Sequence, residues 1–147
     1  SLREAEDLAS NLGHKSLLTA IYSAWAEINT ATGQLQAAAA AAERSVQLAR
    51  ETGETVDEGI GLRVLGEVLQ AGDRPEDALS VFGQSLALLD KNDPYEAART
   101  QVRMGLALQR VGDTSHGLAL LKEATATFQR LGAKRDLALA EHFLGRR

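Results

Sequence analysis

A block of about 40 residues recurs along the chain, and this repeat constrains the fold more than any other feature of the sequence. Leu65 is followed 39 positions later by Met104, and Tyr22 precedes Leu62 by 40 positions. Each copy contains two stretches with apolar residues at the spacing of one helix face, as in Leu62, Leu65 and Leu69. Such self-similarity indicates stacked units that each bury an apolar face against their neighbours.

The repeat predicts an all-α fold, a right-handed α-solenoid of antiparallel helix pairs with about eight helices. Small residues alternate with large ones, which lets neighbouring helices approach closely. The whole chain, residues 1–147, is predicted to form a single repeat domain with three full helix pairs flanked by half repeats. We also expect it to be a fragment of a longer protein, because apolar residues persist near its end. The expected helices cover residues 2–12, 15–31, 34–52, 55–71, 75–91, 94–111, 114–131 and 134–146.

Two helix starts carry capping chemistry. Asp93 precedes Pro94, with Glu96 three residues after the aspartate, which is the pattern of an N-cap followed by a first-turn proline. Thr55 with Glu58 has the spacing of a capping box, in which two side chains satisfy free backbone N–H groups at the helix start. We therefore expect helices to begin at both motifs.

The composition argues against several classes of function. The chain has no cysteine, so disulfides, zinc–thiolate sites and cysteine nucleophiles are excluded. Its formal net charge of −4 gives no electrostatic basis for direct binding of nucleic acid or of an anionic membrane. The histidines at positions 14, 116 and 142 lie in different repeats, so we expect no metal site and no cofactor. The absence of cysteine is consistent with a cytoplasmic location.

The second copy resembles the tetratricopeptide repeat (TPR) family. The resemblance is carried by Leu62, Leu65-Gly66, Leu69, Ala78, Phe82 and Ser85, and more loosely by Met104-Gly105, Leu108, Gly117, Leu121 and Ala124 in the third copy. The period exceeds the usual 34 residues. In this it is similar to the extended subtype of about 40 residues found in bacterial signalling and transcription regulators, and residues 128–138 resemble the closing repeats of such proteins.

The resemblance implies a TPR-like protein-interaction scaffold that binds a peptide or protein segment on its concave face, within a larger bacterial regulatory protein. No enzymatic activity is implied. In this family the first helix of each pair lines the concave face. Carried over from the Leu-Gly pair, this register implies that the partner-binding residues are Glu27, Arg63, Glu67, Gln70, Arg99, Arg103, Arg110, His142 and Arg146.

Charge is unevenly distributed along this expected binding face. Carboxylates come early and arginines late, and Arg99 and Arg103 are one helical turn apart, so both can converge on one anion. This suggests a partner with an acidic segment. The alternative is a solvated helix face whose arginines pair locally with Glu96 or Asp113.

Two further functions stay open at this stage. One is a self-assembly module, with a homodimer formed through the terminal helices. The other is a ligand-sensing accessory domain of a signalling enzyme. We expect Trp25, Phe82 and Phe128 to be core residues, because they occupy the large positions of the repeat.

Overall fold

The fold is an α-solenoid of stacked helix pairs, seen in a computed structural model that describes residues 2–11 and 14–145. The described residues form eight helices that begin and end within two residues of the predicted bounds. They are α1 (Leu2–Asn11), α2 (Lys15–Ala31), α3 (Leu35–Thr52), α4 (Thr55–Ala71), α5 (Pro75–Leu89), α6 (Pro94–Arg110), α7 (Thr114–Leu131) and α8 (Lys134–Gly145). The predicted fold class is confirmed.

The helix contacts divide the solenoid into an inner and an outer layer. Each helix packs on the next in sequence, and α2, α4, α6 and α8 also contact one another in that order. Within the described ranges, α3, α5 and α7 make no comparable contacts with each other. The first helices of the pairs therefore form the inner layer and the second helices the outer one.

Serine residues join the two helices of a pair in two successive repeats. Ser45 Oγ donates a hydrogen bond to the carbonyl oxygen of Thr19 (2.9 Å), and 40 residues later Ser85 Oγ donates to that of Gly59 (2.7 Å). Both serines are fully buried. The hydroxyl of a serine at this position is paired with the backbone of the neighbouring helix, so it is buried without an unpaired polar group.

The core contains Phe82 and Phe128 as predicted, but the prediction for Trp25 is wrong. Phe82 is 0% exposed, whereas Trp25 is 44% exposed. Leu65, one repeat after Trp25, packs against a buried cluster that includes Leu18 of the preceding pair. Among the described residues α1 alone precedes α2, so no helix pair in this part of the chain covers Trp25 as one covers Leu65.

One of the two predicted caps is confirmed. The side chain of Asp93 accepts a hydrogen bond from the backbone N–H of Glu96 (3.1 Å). The predicted capping box of Thr55 and Glu58 is wrong. Thr55 is the first helical residue and Glu54 precedes it without a side-chain cap, while the Glu58 carboxylate accepts from Arg50 Nε (2.9 Å).

Two glycines allow α6 and α7 to cross closely, and an added methyl group there should be costly. A Cβ at Gly117 would lie 2.6 Å from the carbonyl oxygen of Gly105, a backbone atom that cannot turn away. We expect Gly117→Ala to destabilise the fold by about 1–3 kcal/mol, as overpacking does. Urea unfolding followed by circular dichroism measures this.

Gly83→Ala is the matched control for this substitution. Gly83 lies inside α5, and a Cβ there would meet no atom within 4 Å. Because alanine is the better helix former, this variant should be more stable than the wild type by about 0.5–1 kcal/mol. Equal effects of the two substitutions would contradict the close crossing of α6 and α7.

Candidate functional site

Three cavities with shared lining residues form one groove on the inner layer, called here the inner groove. Cavities of about 520 Å³ and about 420 Å³ share Glu27. A smaller one of about 50 Å³ shares Arg103 with the first and Arg99 with the second. The groove is therefore continuous across α2, α4 and α6, and reaches α8 through Asp136.

Most of the partner-binding residues predicted from the sequence line the inner groove. These are Glu27, Arg63, Glu67, Gln70, Arg99 and Arg103. Arg110 lies outside the lining and pairs with Asp73 across an exposed edge, with its Nη2 atom 2.5 Å from Oδ1. His142 is exposed on α8 and its ring contacts that of Phe143. Arg146 lies outside the described residues.

Arg63 is a buried structural cation rather than a free contact residue. It is 2% exposed, and its Nη1 atom lies 2.5 Å from Glu96 Oε2 on α6. The same Nη1 donates to the backbone carbonyl oxygen of Glu96 (3.4 Å). A guanidinium held this way joins α4 to α6 and is not available to a partner.

Arg99 is held at the junction of α6 and α8. Its Nη1 lies 3.4 Å from Glu96 Oε1 and its Nε lies 3.9 Å from Asp136 Oδ1. Its guanidinium also lies over the ring of Tyr95, 5.8 Å from the centroid, while the Tyr95 hydroxyl donates to Asp136 (2.8 Å). The side chain nevertheless stays 37% exposed, because one edge of the guanidinium faces the groove.

Arg103 and Glu67 connect α4 and α6, the two helices that Arg63 also joins. Arg103 Nε lies 3.2 Å from Glu67 Oε1, and the Arg103 side chain is 39% exposed. Burial raises the pKa of the Glu67 carboxyl above its usual range, although Arg103 and Arg63 act in the opposite direction. The two arginines therefore offset part of the effect of burial on this pKa.

Three acids that share one position of the inner helices were not among the predicted binding residues. Asp57, Glu96 and Asp136 are each the third residue of an inner helix. Of the three, only Glu96 was predicted from the sequence to pair locally with the arginines. Their spacing of 39 and 40 residues was visible in the sequence, but no role was predicted for Asp57 or Asp136.

Helix α2 has three exposed large apolar residues, one of which lines the groove. Ile28 lines the groove and is 56% exposed, and Leu17 and Trp25 are exposed on the same helix. A stretch of apolar surface next to charged groups is typical of protein interaction sites.

Two negative findings apply to the described residues alone. Among residues 2–11 and 14–145, no group of three or more His, Asp or Glu side chains is arranged to hold a metal ion. No helix in these ranges is long and apolar enough to cross a lipid bilayer.

The repeat pattern and the fold together define a helical-repeat protein of the α-solenoid class. The sequence pattern described as Tetratricopeptide repeat matches residues 16–91, which is more than half of the chain. The chain therefore belongs to the tetratricopeptide repeat family, and the resemblance found in the sequence is confirmed. No curated protein matches the chain significantly.

Solved structures with the same fold include proteins from two organisms. BtubC (BKLC) from P. vanneervenii superposes with a TM-score of 0.75 at 21% identity, covering 98% of this chain and 64% of that one. A putative kinesin light chain from Podosopora anserina with nearly identical TPR-like repeats superposes with a TM-score of 0.68 at 22% identity, covering 86% and 66%. The chain thus spans slightly less than two thirds of both structures. At these identities the likeness concerns the fold alone.

Proposed function

We propose that this chain is a scaffold whose inner groove binds a peptide or protein segment. Tetratricopeptide repeats generally mediate protein–protein interaction, and they are generally non-catalytic. The observation that carries the proposal is the continuous groove across three inner helices, with charged side chains from successive repeats along it. Side chains spaced this way suit an extended or helical segment rather than a compact small molecule.

The arginines at the α6 end of the groove favour a particular chemistry in the bound segment. Arg99 and Arg103 are each more than a third exposed although paired. Their contacts with carboxylates are 3.2 Å or longer, so a carboxylate of the partner can share these guanidiniums without breaking a tight pair. We therefore propose that the part of the partner bound near Arg99 and Arg103 is acidic.

The parent protein in this proposal is a cytoplasmic bacterial regulator. The support is the similarity of residues 128–138 to the closing repeats of large bacterial regulators and the extended repeat length. The chain would serve as a module that docks a partner to the rest of such a protein.

Reversing the two exposed arginines tests the groove. We expect Arg99→Glu with Arg103→Glu to abolish retention of a partner on the immobilised chain, because both contacts become repulsive. Lysate of the source organism is passed over the variant and the wild type, and retained proteins are identified by mass spectrometry. Since the new glutamates would also face Glu96 and Glu67, the milder pair Arg99→Gln with Arg103→Gln is measured alongside, with helicity checked by circular dichroism.

The control for this experiment makes the same charge change on the outer layer. Lys122 and Arg130 are exposed on α7, so Lys122→Glu with Arg130→Glu alters the net charge equally. Retention of the same partner by this variant, and its loss from both groove variants, is the expected result. Equal retention by the groove and outer variants would contradict binding in the inner groove.

Self-assembly is the second candidate, and exposed apolar residues at both ends of the solenoid favour it. Leu17 and Trp25 are exposed at the α2 end, and Leu139 at the α8 end. This candidate predicts a homodimer whose solution mass rises with concentration and falls to that of a monomer in Leu139→Glu. A ligand-sensing role has less support, because the cavities are open and lined by charges.

A further inference from the structure

On two successive inner helices, the carboxylate at the same helix position forms an ion pair with an arginine of the preceding inner helix. Glu96, the third residue of α6, pairs with Arg63 of α4. Asp136, the third residue of α8, pairs with Arg99 of α6. The same acid position thus links three successive inner helices by ion pairs.

Asp57 occupies this acid position on α4, but the preceding inner helix offers it no cation. Arg63 and Arg99 are the ninth and sixth residues of their helices, and the corresponding residues of α2 are Ser23 and Ala20. In the part of the chain that the structure describes, Asp57 has no ion-pair partner. Burial raises the pKa of the Asp57 carboxyl, and the neighbouring Glu54 raises it further, as expected for a carboxylate without a cation.

A cavity lies where the missing cation would be. It has a volume of about 420 Å³, and Ala20, Ser23 and Asp57 all line it. Glu27, whose carboxylate likewise has no ion-pair partner among the described residues, lines it too. An arginine side chain fits such a volume with space to spare.

The charges around this cavity do not balance. Three carboxylates line it, those of Glu27, Asp57 and Glu96, against the two guanidiniums of Arg63 and Arg99. Both guanidiniums already pair with Glu96. The lining therefore carries excess negative charge on the α2 side, where it attracts a cation.

Apart from Thr19 and Ser23, the rest of the lining is apolar. Ala24, Ile28 and Ile60 line the cavity, and Ile28 is largely exposed. Apolar surface beside carboxylates suits a side chain with an aliphatic stem and a charged end, because the stem is buried while the charge is paired. Arginine has this form, and its planar fork pairs well with carboxylates.

We infer that the cavity between α2 and α4 binds an arginine side chain of the partner segment, with the guanidinium between Glu27 and Asp57 and the stem over Ile28 and Ile60. The inference rests on the proposed function, since it names the chemistry of the segment in the inner groove. The partner's arginine would give Asp57 the cation that Arg63 of α4 gives Glu96 and Arg99 of α6 gives Asp136. A bound segment would then carry an arginine at the α2 end and an acidic residue near Arg99 and Arg103, which fixes its direction.

Butylguanidinium is the direct probe for this site, with neutral butylurea as its control. The methyl groups of Ile28 and Ile60 are followed by NMR during titration of the labelled chain. Butylguanidinium should cause saturable shifts of both methyl signals, and butylurea should cause none that saturate. The absence of saturable shifts, or equal shifts with both compounds, would overturn the inference.

Three variants locate the site. Asp57→Asn should weaken butylguanidinium binding about tenfold, the loss expected for one charge-assisted contact, while Glu123→Gln on the exposed surface of α7 should leave it unchanged. Ala20→Arg supplies the cation from α2 and should abolish binding. Unchanged binding in Asp57→Asn or in Ala20→Arg would overturn the assignment of the site.

This experiment separates the arginine site from the groove function. If the groove variants lose the partner but butylguanidinium does not bind at Ile28 and Ile60, only the arginine site is wrong. If butylguanidinium binds and responds to Asp57→Asn while the groove variants keep the partner, only the groove function is wrong.

Discussion

Phe82→Ala should unfold the solenoid at a much lower urea concentration than the wild type, with a loss of about 3–5 kcal/mol in the free energy of unfolding. Phe82 is 0% exposed and packs with Ala78 of its own helix and Ala107 of α6, with Met104 alongside. Its ring also touches the space at Gly66, where a Cβ would collide with it. Removing the ring leaves a cavity that these helices cannot close without shifting.

Because of the position of Phe82, its truncation should lower the free energy of unfolding more than truncation of a side chain at an end of the stack. Phe82 joins the α4–α5 pair to α6, so its removal weakens an interface between repeats as well as one within a repeat. Leu131→Ala is the control, because Leu131 is about half exposed and its loss should change stability by no more than about 0.5 kcal/mol. Similar unfolding midpoints for the two variants would show that Phe82 is not a core residue.

Glu96→Ala should lower the free energy of unfolding by a comparable amount, but for an electrostatic reason. The substitution leaves Glu67 as the one carboxylate of the described residues paired with the buried guanidinium of Arg63, with its Oε1 4.0 Å from Arg63 Nε. Removing one partner of a buried ion pair costs about 3–5 kcal/mol, because the remaining charge stays buried without compensation. Chemical denaturation of the variant and the wild type at neutral pH measures the loss.

The control for Glu96 is an ion pair on the surface. Arg74 Nη2 lies 2.7 Å from Asp77 Oδ2, and both side chains are more than half exposed. Asp77→Ala should therefore change the free energy of unfolding by less than about 1 kcal/mol. The double variant Arg63→Met with Glu96→Leu should recover most of the loss, since an apolar pair of similar volume needs no counter-charge. Failure of the double variant to exceed Glu96→Ala in stability would contradict the buried-charge explanation.

The helices and the core could be predicted largely from the sequence. Leu62, Leu65 and Leu69 lie at helical spacing, and their recurrence in the other copies fixes both the helix lengths and the pairing. Phe82 was predicted in the core because it occupies a large position of the repeat, and it is buried there against residues of α5 and α6. Trp25 occupies the same kind of position as Leu65, but it is exposed because its burial depends on a preceding pair that is not among the described residues.

The candidate site was predicted only as a face of the solenoid. The register of the repeat placed Glu67 and Arg103 on that face, and both line the groove. It could not show that Arg63 is buried against Glu96, because that contact joins residues 33 positions apart and depends on how α4 and α6 pack. The role of Asp57 likewise becomes visible only when its position is compared with those of Glu96 and Asp136 across the packed helices.

Photo-cross-linking from the two layers of the solenoid shows which of them contacts the partner. A photoreactive residue replaces Gln70, which lines the inner groove, or Gln129, which is exposed on the outer helix α7. After irradiation in lysate of the source organism, we expect a cross-linked partner protein from position 70 and none from position 129. A partner cross-linked from position 129 alone, or a cross-link only to a second copy of the chain, would contradict binding in the inner groove.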